Sequence, residues 1–341
     1  MHPRLQLGKL SPQTLERVIY THLGAQDARV LVGPKIGEDA AVIDMGSRVL
    51  VVHSDPVTGA AENLGWLAVN VSANDVATRG ARPLWCSLVL FLPEDASLEL
   101  LEGIMKQVDE AAREIQVALV SGHTEVTPGL RRPIAACTSI GEAPRGRFFT
   151  TSGARKGDAI IVTKGAAIEG TAILASEFAD RLEPVVGKAT VETAKRYIRK
   201  VSVVRDALTA VEEGGVTAMH DATEGGVLGG LYEMAYASGL GIKATYGKVP
   251  IARETKAVCQ ALGVDPMRTI SSGTLLIAAR EEKADEVVDA LRQAQVEAAN
   301  IGSFVERSEG VKLTMPDGSM ADISAPVQDE LWRIISRSEW A

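Results

Sequence analysis

The second half of the chain alternates short apolar runs with helical patterns, and this alternation limits the fold more than any other feature of the sequence. Strands are predicted at Ala159–Thr163, Val216–Met219, Ile242–Thr245, Thr274–Ala279 and Glu297–Ser303. Helical patterns separate them, near residues 171–179, 190–212, 227–238, 253–262 and 282–295. Elements that alternate in this way predict a layered α/β domain.

The first half mixes strands and helices without a regular alternation. A helix capped by Ser11 opens it, and amphipathic or apolar helices are predicted near 63–78 and 98–115. Strands are predicted near 40–43, 49–53, 84–92, 117–121 and 134–140. Residues 143–157 are rich in Gly, Pro and basic residues, which is typical of a boundary. The chain is therefore predicted to contain an α+β domain over 1–150 and an α/β domain over 151–341.

Composition excludes several classes of function. The 36 basic and 44 acidic residues give a net charge of −8 without any basic block, so no nucleic-acid partner is expected. No apolar run is long enough to span a bilayer and no apolar N-terminal segment is present, which predicts a cytoplasmic protein without a membrane partner. Three widely spaced cysteines form neither a disulfide framework nor a CxxC site.

Four aspartates that lie in predicted turns or beside short apolar runs are the main chemical feature. They are Asp39 in GEDAAV, Asp55 in HSDPVTG, Asp75 in ANDVATRGA and Asp221 in HDATEGGVLGG. Carboxylates near strand ends suit a magnesium–phosphate site, because Mg²⁺ binds a few carboxylates and completes its shell with phosphate oxygens and water. Taken singly, Asp39 and Asp55 are also explained as turn residues, Asp75 as a surface or capping residue, and Asp221 as the residue that initiates the following helix.

Glycines before two predicted helices add to this pattern. Gly225 and Gly226 precede the helix at 227–238, where backbone N–H groups and the helix dipole favour phosphate. The same glycines are equally explained by close helix packing. His123 and His220 are open to a similar choice between a functional role and an ordinary structural hydrogen bond.

The ordered motifs resemble the ATP-binding superfamily of aminoimidazole ribonucleotide (AIR) synthetase, which includes thiamine-monophosphate kinase, selenophosphate synthetase and HypE. The resemblance covers nearly the whole chain, from Gly8 to about Pro326, and is carried by GEDAAV, HSDPVTG, ANDVATRGARPLW, SGHTEV, TSIGE, GDAIIVT, HDATEGGVLGGLYEMA and LGVDPMRTISSGTLL. The last two motifs are most similar to the HypE branch.

The resemblance implies an AIR synthetase-like fold, with an α+β N-terminal domain that closes a barrel with a second copy and an α/β C-terminal domain. It implies a homodimer with ATP and Mg²⁺ bound near the dimer interface. Asp39, Asp55 and Asp75 match the family's metal-site aspartates, and Asp221 is assigned a catalytic role together with His123. The residues expected to contact the nucleotide are Lys9, Gly37, Asn74, Gly122, Thr124, Gly225 and Gly226, although Lys9 is equally well explained as a surface lysine.

Two departures from the family pattern bear on function. Many members have Gly-Asp-Thr where this chain has Gly122-His123-Thr124. Because Mg²⁺ prefers oxygen ligands, His123 implies fewer protein ligands, substitution by Glu125 or a direct phosphate contact. HypE carries its carbamoyl group on a C-terminal cysteine, whereas this sequence ends in Ser-Glu-Trp-Ala.

The predicted function is an ATP- and Mg²⁺-dependent enzyme that activates a substrate oxygen by phosphorylation, related to HypE but without its terminal cysteine. Its substrate is expected to be an unidentified small molecule or protein tail. Two alternatives remain open: a small-metabolite kinase of the thiamine-monophosphate kinase type, and a nucleotide-binding partner protein without turnover.

Overall fold

The computed structural model describes residue 5 and residues 10–38, 40–58 and 62–335. Within these residues the strands form a six-stranded and a seven-stranded sheet. The first sheet contains β1 (Val30–Val32), β2 (Ala41–Asp44), β3 (Arg48–Val57), β4 (Arg82–Leu92), β5 (Ala118–Val126) and β6 (Ile134–Pro144). The second contains β7 (Ala159–Thr163), β8 (Val216–Asp221), β9 (Gly241–Thr245), β10 (Leu275–Ala279), β11 (Ala298–Val305), β12 (Val311–Thr314) and β13 (Met320–Asp322).

The helices lie around these two sheets. They are α1 (Pro12–Thr14, continued as a wider turn over Leu15–Ile19), α2 (Leu64–Thr78), α3 (Leu98–Glu114), α4 (Ile168–Glu177), α5 (Ala179–Val186), α6 (Lys188–Lys195), α7 (Val204–Glu213), α8 (Gly226–Ser238), α9 (Arg253–Leu262), α10 (Ala284–Gln293) and α11 (Glu330–Ile335). None of the helices described is both long and apolar enough to cross a membrane.

The first sheet has the strand order β1-β2-β3-β6-β4-β5. Its strands pair antiparallel except for β4 and β5, which run parallel. Gly122 on β5 is required by this pairing, because a Cβ at that position would lie 2.3 Å from the Leu88 carbonyl oxygen. Every residue of β5 is exposed. Exposed edge strands invite pairing, which is consistent with the predicted homodimer, although the dimer itself stays a prediction.

The second sheet has the order β13-β12-β9-β11-β7-β10-β8. Only β9 and β12 are parallel among its pairs in the described chain, so the α/β alternation does not produce a parallel sheet here. β7 and β10 are wholly buried. The predicted strand Ala159–Thr163 is confirmed residue for residue. The predicted boundary between residues 150 and 151 falls between β6 and β7 and stays a prediction.

The predicted single helix over 190–212 is wrong. The segment contains α6, a 3₁₀ turn over Arg196–Lys200 and α7, with an interruption at residues 201–203. That interruption is occupied by contacts with another helix: the side chain of Asn74 donates to the Val201 carbonyl oxygen at 2.8 Å and accepts from the Val203 N–H at 2.7 Å. Hydrogen bonds to a residue distant in the chain therefore interrupt the helix that the local periodicity predicts.

Helix α2 lies between the two sheets, and all fifteen of its residues are buried. On one side it packs on β3 and β6, where Gly141 is needed because a Cβ there would lie 2.5 Å from Val76 Cγ1. On the other side Ala73 and Ala77 share a hydrophobic cluster with Met219 of β8. A helix that is apolar around its whole circumference is typical of such a buried position.

The hydrogen bonds of Asn74 join α2 to the second half of the chain, and they predict a large loss of stability on truncation. Asn74→Ala leaves a buried carbonyl and a buried N–H without their partner, which is expected to lower the free energy of unfolding by about 2–4 kcal/mol. Urea denaturation followed by circular dichroism measures this. The exposed Asn300→Ala is the matched control, with an expected effect below about 1 kcal/mol. An equal effect of the two substitutions would show that Asn74 does not have this structural role.

Candidate functional site

The candidate site begins where the last turn of α2 crosses β3. His53 and Asp55 lie two residues apart on β3 and therefore point to the same face of the sheet. Asp75 lies in the last turn of α2 and is buried. The Nε2 atom of His53 is 3.4 Å from Asp75 Oδ2 and 3.9 Å from Asp55 Oδ1. One ligand atom from each of the three residues can be chosen so that all lie within 4.8 Å of one another.

The position of Asp75 is set by the packing of α2 on the neighbouring strand. Ser72 and Ser139 of β6 share a hydrogen bond of 2.9 Å between their hydroxyl oxygens. Ser139 pairs directly with His53 across the sheet. Because Asp75 follows Ser72 by three residues, both lie on the same face of α2. The same contact that holds the helix on the sheet therefore brings Asp75 to His53.

Asp75 lies inside α2, within the helical pattern predicted near 63–78. The structure changes the predicted turn setting of the two other aspartates that can be described: Asp55 is inside β3 and Asp221 is the last residue of β8. Asp221 is buried. The predicted metal residue Asp39 and the predicted nucleotide residue Lys9 lie outside the described residues.

A buried ion pair holds the segment that leads to position 39. Glu38 Oε2 is 2.8 Å from Arg79 Nη1, and both side chains are almost fully buried. Glu38 also accepts hydrogen bonds from the backbone N–H groups of Thr151 and Ser152 and from the Ser152 hydroxyl. This network links the N-terminal segment, the residue after α2 and the 3₁₀ turn at Thr151–Gly153. Both charged residues belong to motifs quoted above, GEDAAV and ANDVATRGA, but the pairing between them is visible only in the fold.

The start of helix α8 is already occupied by a carboxylate. The N–H of Gly225 donates to Asp329 Oδ2 at 2.7 Å, and the N–H of Leu331 donates to Asp329 Oδ1 at 2.8 Å. Burial raises the pKa of Asp329 to about 7 despite these two hydrogen bonds. Gly226 is needed for close packing, since a Cβ there would lie 2.6 Å from the Thr269 carbonyl oxygen. The close-packing explanation therefore applies to Gly226, and nucleotide contacts of the two glycines stay predictions.

Two other residues predicted to contact the nucleotide also have structural roles. Gly37 packs on α8, where a Cβ would lie 2.9 Å from that of Ala237. Both polar groups of the Asn74 amide are engaged by residues 201 and 203. A direct contact of either residue with a nucleotide stays a prediction.

His123 lies apart from this cluster within one copy of the chain. Asp55, Cys137, Leu88 and Gly122 form one row of paired residues across β3, β6, β4 and β5. Three strand spacings of about 4.8 Å place β5 roughly 14 Å from β3. His123 is 64% exposed, with Nε2 3.1 Å from Glu125 Oε2.

A cavity of about 330 Å³ beside β5 is lined by Gly122, His123 and Thr124, together with Leu88, Met105, Leu119 and Ser121. Whether a second copy of the chain brings these residues to the cluster of another copy stays a prediction.

Two acidic residues that the sequence did not single out complete the site. Glu169, in the first turn of α4, is 6% exposed. Its pKa is raised to about 7, chiefly because burial penalises the charged form and further because the charges of Asp329 and Asp55 repel it, while a hydrogen bond from Ser272 partly opposes the shift. The interaction with Asp55 connects Glu169 to the cluster on β3. Neither Glu169 nor Asp329 lies in a pattern that signals chemistry at the level of sequence.

The chain is similar to proteins of known family over nearly its whole length. The N-terminal domain of AIR synthase related proteins matches residues 37–143, and the C-terminal domain of the same family matches residues 155–313. A hydrogenase expression/formation protein of Methanocaldococcus jannaschii is 31% identical over 335 residues, which cover 96% of this chain and 97% of that protein.

Two further similarities concern HypE. The carbamoyl dehydratase HypE of Escherichia coli (strain K12) is 30% identical over 285 residues, which cover 82% of this chain and 81% of that protein. A crystal structure of hydrogenase maturation protein HypE in complex with ATP matches with a TM-score of 0.73 and 25% identity, over 97% of this chain and 98% of that one. These matches confirm the predicted two-domain architecture and the predicted resemblance to HypE.

The raised pKa of Glu169 predicts a pH-dependent stability. The folded protein keeps a proton on this carboxyl up to about pH 7, whereas the unfolded chain releases it near pH 4.5, so the carboxyl lowers the stability as pH rises through this window. Glu169→Gln is therefore expected to raise the free energy of unfolding by about 2–3 kcal/mol at pH 8 and to change it little at pH 4. Urea denaturation at the two pH values measures the difference.

The exposed Glu114→Gln serves as the control, for which no such pH-dependent gain is expected. A Glu169→Gln protein that is equally destabilised at both pH values would show that the carboxyl is ionised and satisfied in the fold.

Proposed function

This chain belongs to the AIR synthase-related family, and on that premise we propose that it is an ATP- and Mg²⁺-dependent enzyme that activates a substrate oxygen by phosphorylation. The main support is the group formed by His53, Asp55 and Asp75, whose ligand atoms converge within 4.8 Å. The similarity to a HypE that was crystallised with ATP supports the choice of nucleotide. We propose that this similarity extends to the type of reaction, but not to the same substrate.

The two carboxylates of the group fit Mg²⁺ better than the imidazole does. Mg²⁺ prefers oxygen ligands and is commonly held by one or two carboxylates together with phosphates and water. Asp55 and Asp75 would hold the ion, with Asp39 as a further proposed ligand. His53, 3.4 Å from Asp75, would orient that carboxylate by hydrogen bonding. A bound Mg²⁺ would supply positive charge that offsets the charge of the triphosphate.

The protein's own contribution to such a reaction is mainly positioning. In phosphoryl transfer the enzyme aligns the acceptor with the γ-phosphate and keeps water out, rather than forming bonds itself. Helix α2 fixes Asp75 through the Ser72–Ser139 hydrogen bond, and we propose that Asp221, at the end of β8, orients the attacking group. A catalytic contribution of His123 would require a second copy of the chain, because β5 is remote from β3 in one copy.

The three functions that the sequence left open differ in their products. An enzyme that activates and then eliminates the oxygen releases inorganic phosphate and ADP. A small-metabolite kinase leaves a stable phosphorylated product, and a binding protein is stabilised by ATP without consuming it. Phosphorus NMR of the reaction mixture with candidate amide and hydroxyl substrates separates these outcomes.

Removal of one carboxylate charge tests the proposed metal site. Asp55→Asn and Asp75→Asn are each expected to weaken the binding of Mg·ATP at least about tenfold, because a neutral amide is a poorer Mg²⁺ ligand than a carboxylate. Isothermal titration calorimetry of Mg·ATP into each variant measures the affinity, and circular dichroism verifies the fold.

Asp180→Asn, on the exposed start of α5, is the matched control and should bind Mg·ATP as the unsubstituted protein does. Unchanged affinity in both site variants would place the metal elsewhere.

The cysteines support a reaction in which the chain carries no carbamoyl group itself. Cys86, Cys137 and Cys259 are all buried. Burial raises the pKa of Cys259 to about 12, which disfavours the nucleophilic thiolate. The burial of all three thiols supports our proposal that the substrate is a separate molecule.

Incubation with ATP and a HypF-type carbamoyl donor tests this proposal. No covalent adduct is expected by intact-mass spectrometry, because all three cysteines are buried. HypE from Escherichia coli, treated in parallel, serves as the comparison protein. An increase in mass that maps to Cys86, Cys137 or Cys259 would instead support self-carbamoylation.

A further inference from the structure

Glu169 is placed by a tightly constrained helix start. The Ile168 N–H donates to Ser271 Oγ at 3.3 Å, and the Gly170 N–H donates to the Ile270 carbonyl oxygen at 2.9 Å. Gly170 allows this approach, since a Cβ there would lie 2.4 Å from Thr269 Cγ2. Ala167, which precedes the helix, has a left-handed φ of 56°, a conformation that costs energy for alanine. The first turn of α4 is thus held against residues 269–272 on both sides of Glu169.

The carboxyl group of Glu169 is buried and only partly satisfied. Ser272 donates a hydrogen bond to it, while Oε2 has no hydrogen-bond partner among the described residues. A buried polar atom without a partner is costly, and the uncommon cases in native proteins often mark a functional group or a ligand that is absent. The observation therefore points to a ligand that approaches Oε2.

The surroundings of Glu169 connect three parts of the candidate site. The charges of Asp329, beside the start of α8, and of Asp55 on β3 both raise the pKa of Glu169 by repulsion. Asp329 in turn accepts the Gly225 N–H. The charge of Asp55 thus acts on Glu169 from the proposed metal site, and Asp329 links Glu169 to the glycine-rich helix start.

We infer that Glu169 is an acid–base residue of this site, which takes the proton from the acceptor group that attacks the γ-phosphate. This role rests on the proposed function. The acceptor's O–H or N–H bond breaks and its proton passes to Glu169 Oε2, while a new bond forms between the acceptor and the γ-phosphorus. The bond from the γ-phosphorus to the bridging oxygen breaks with its electron pair, and ADP leaves.

The acidic setting also limits the chemical class of the acceptor. Asp55, together with Asp329 and Glu169 once these two carboxyls have ionised, would repel a second anionic group close to the phosphate. The site therefore suits a neutral group that bears a proton, such as a carboxamide or a hydroxyl. Because Glu169 must be ionised to accept a proton, the rate is expected to rise with pH as this carboxyl ionises.

Proton exchange on nucleotide binding tests the position of Glu169. Calorimetric titration of the full-length protein with Mg²⁺ and AMPPCP at pH 7, in two buffers of different ionisation enthalpy, counts the protons taken up or released. The charge of the bound nucleotide shifts a nearby titrating carboxyl, so we expect a proton exchange that Glu169→Gln abolishes while the affinity stays within a few fold. Glu177→Gln removes another carboxyl with a raised pKa from the far end of α4 and should keep the exchange.

The rate of ADP formation from ATP, with water as the acceptor, tests the chemical role. Glu169→Gln is expected to reduce this rate at least about 100-fold and to remove its rise with pH, whereas Glu177→Gln should change neither. The acid–base role of Glu169 is overturned if Glu169→Gln keeps the proton exchange or keeps the rate of ADP formation. It is also overturned if the unsubstituted protein binds nucleotide but forms no ADP. In each of these cases the proposed nucleotide site stands. A failure of the unsubstituted protein to bind Mg·ATP would instead contradict the proposed function itself.

Discussion

The complete burial of helix α2 between the two sheets is the constraint on which the rest of the structure depends. A helix with no exposed face must find hydrogen-bond partners for its polar side chains inside the protein, and several of those of α2 bond to both halves of the molecule. Asn74 engages residues 201 and 203, and the indole of Trp66 donates to the Ile198 carbonyl oxygen at 2.9 Å. Just beyond the helix, Arg79 pairs with Glu38. These contacts fix the two sheets relative to each other.

The candidate site follows from this arrangement. Asp75 reaches His53 because α2 is held on β6. Glu169 is fixed because α4 is held on residues 269–272, and the charge of Asp55 acts on it. Two buried carboxyls, Glu169 and Asp329, are kept in the fold although burial raises the pKa of each to about 7. Functional sites of proteins commonly contain groups that lower the stability of the fold. Burial of the Glu169 carboxyl is thus the physical origin both of its cost in stability and of its proposed acid–base role.

The sequence predicted local elements and chemical residue types well, and spatial pairing poorly. Strand β7 was predicted residue for residue because a wholly apolar run between turns has few alternatives. Asp55 and Asp75 were found through their motifs, but His53 was missed although it stands two residues before Asp55 in the same quoted motif. Its significance depends on α2 crossing β3, which is a tertiary contact. The division of the helix predicted over 190–212 has the same cause, since Asn74 is 127 residues before Val201 in the chain.

The central claim is that the last turn of α2 and strand β3 together hold the metal of a bound nucleotide. A crystal structure of the protein with Mg²⁺ and a non-hydrolysable ATP analogue tests it most directly. The account predicts a Mg²⁺ ion about 2.0–2.1 Å from a carboxylate oxygen of Asp55 or Asp75, with phosphate oxygens completing its coordination. A nucleotide whose metal contacts neither β3 nor the last turn of α2 would contradict the account.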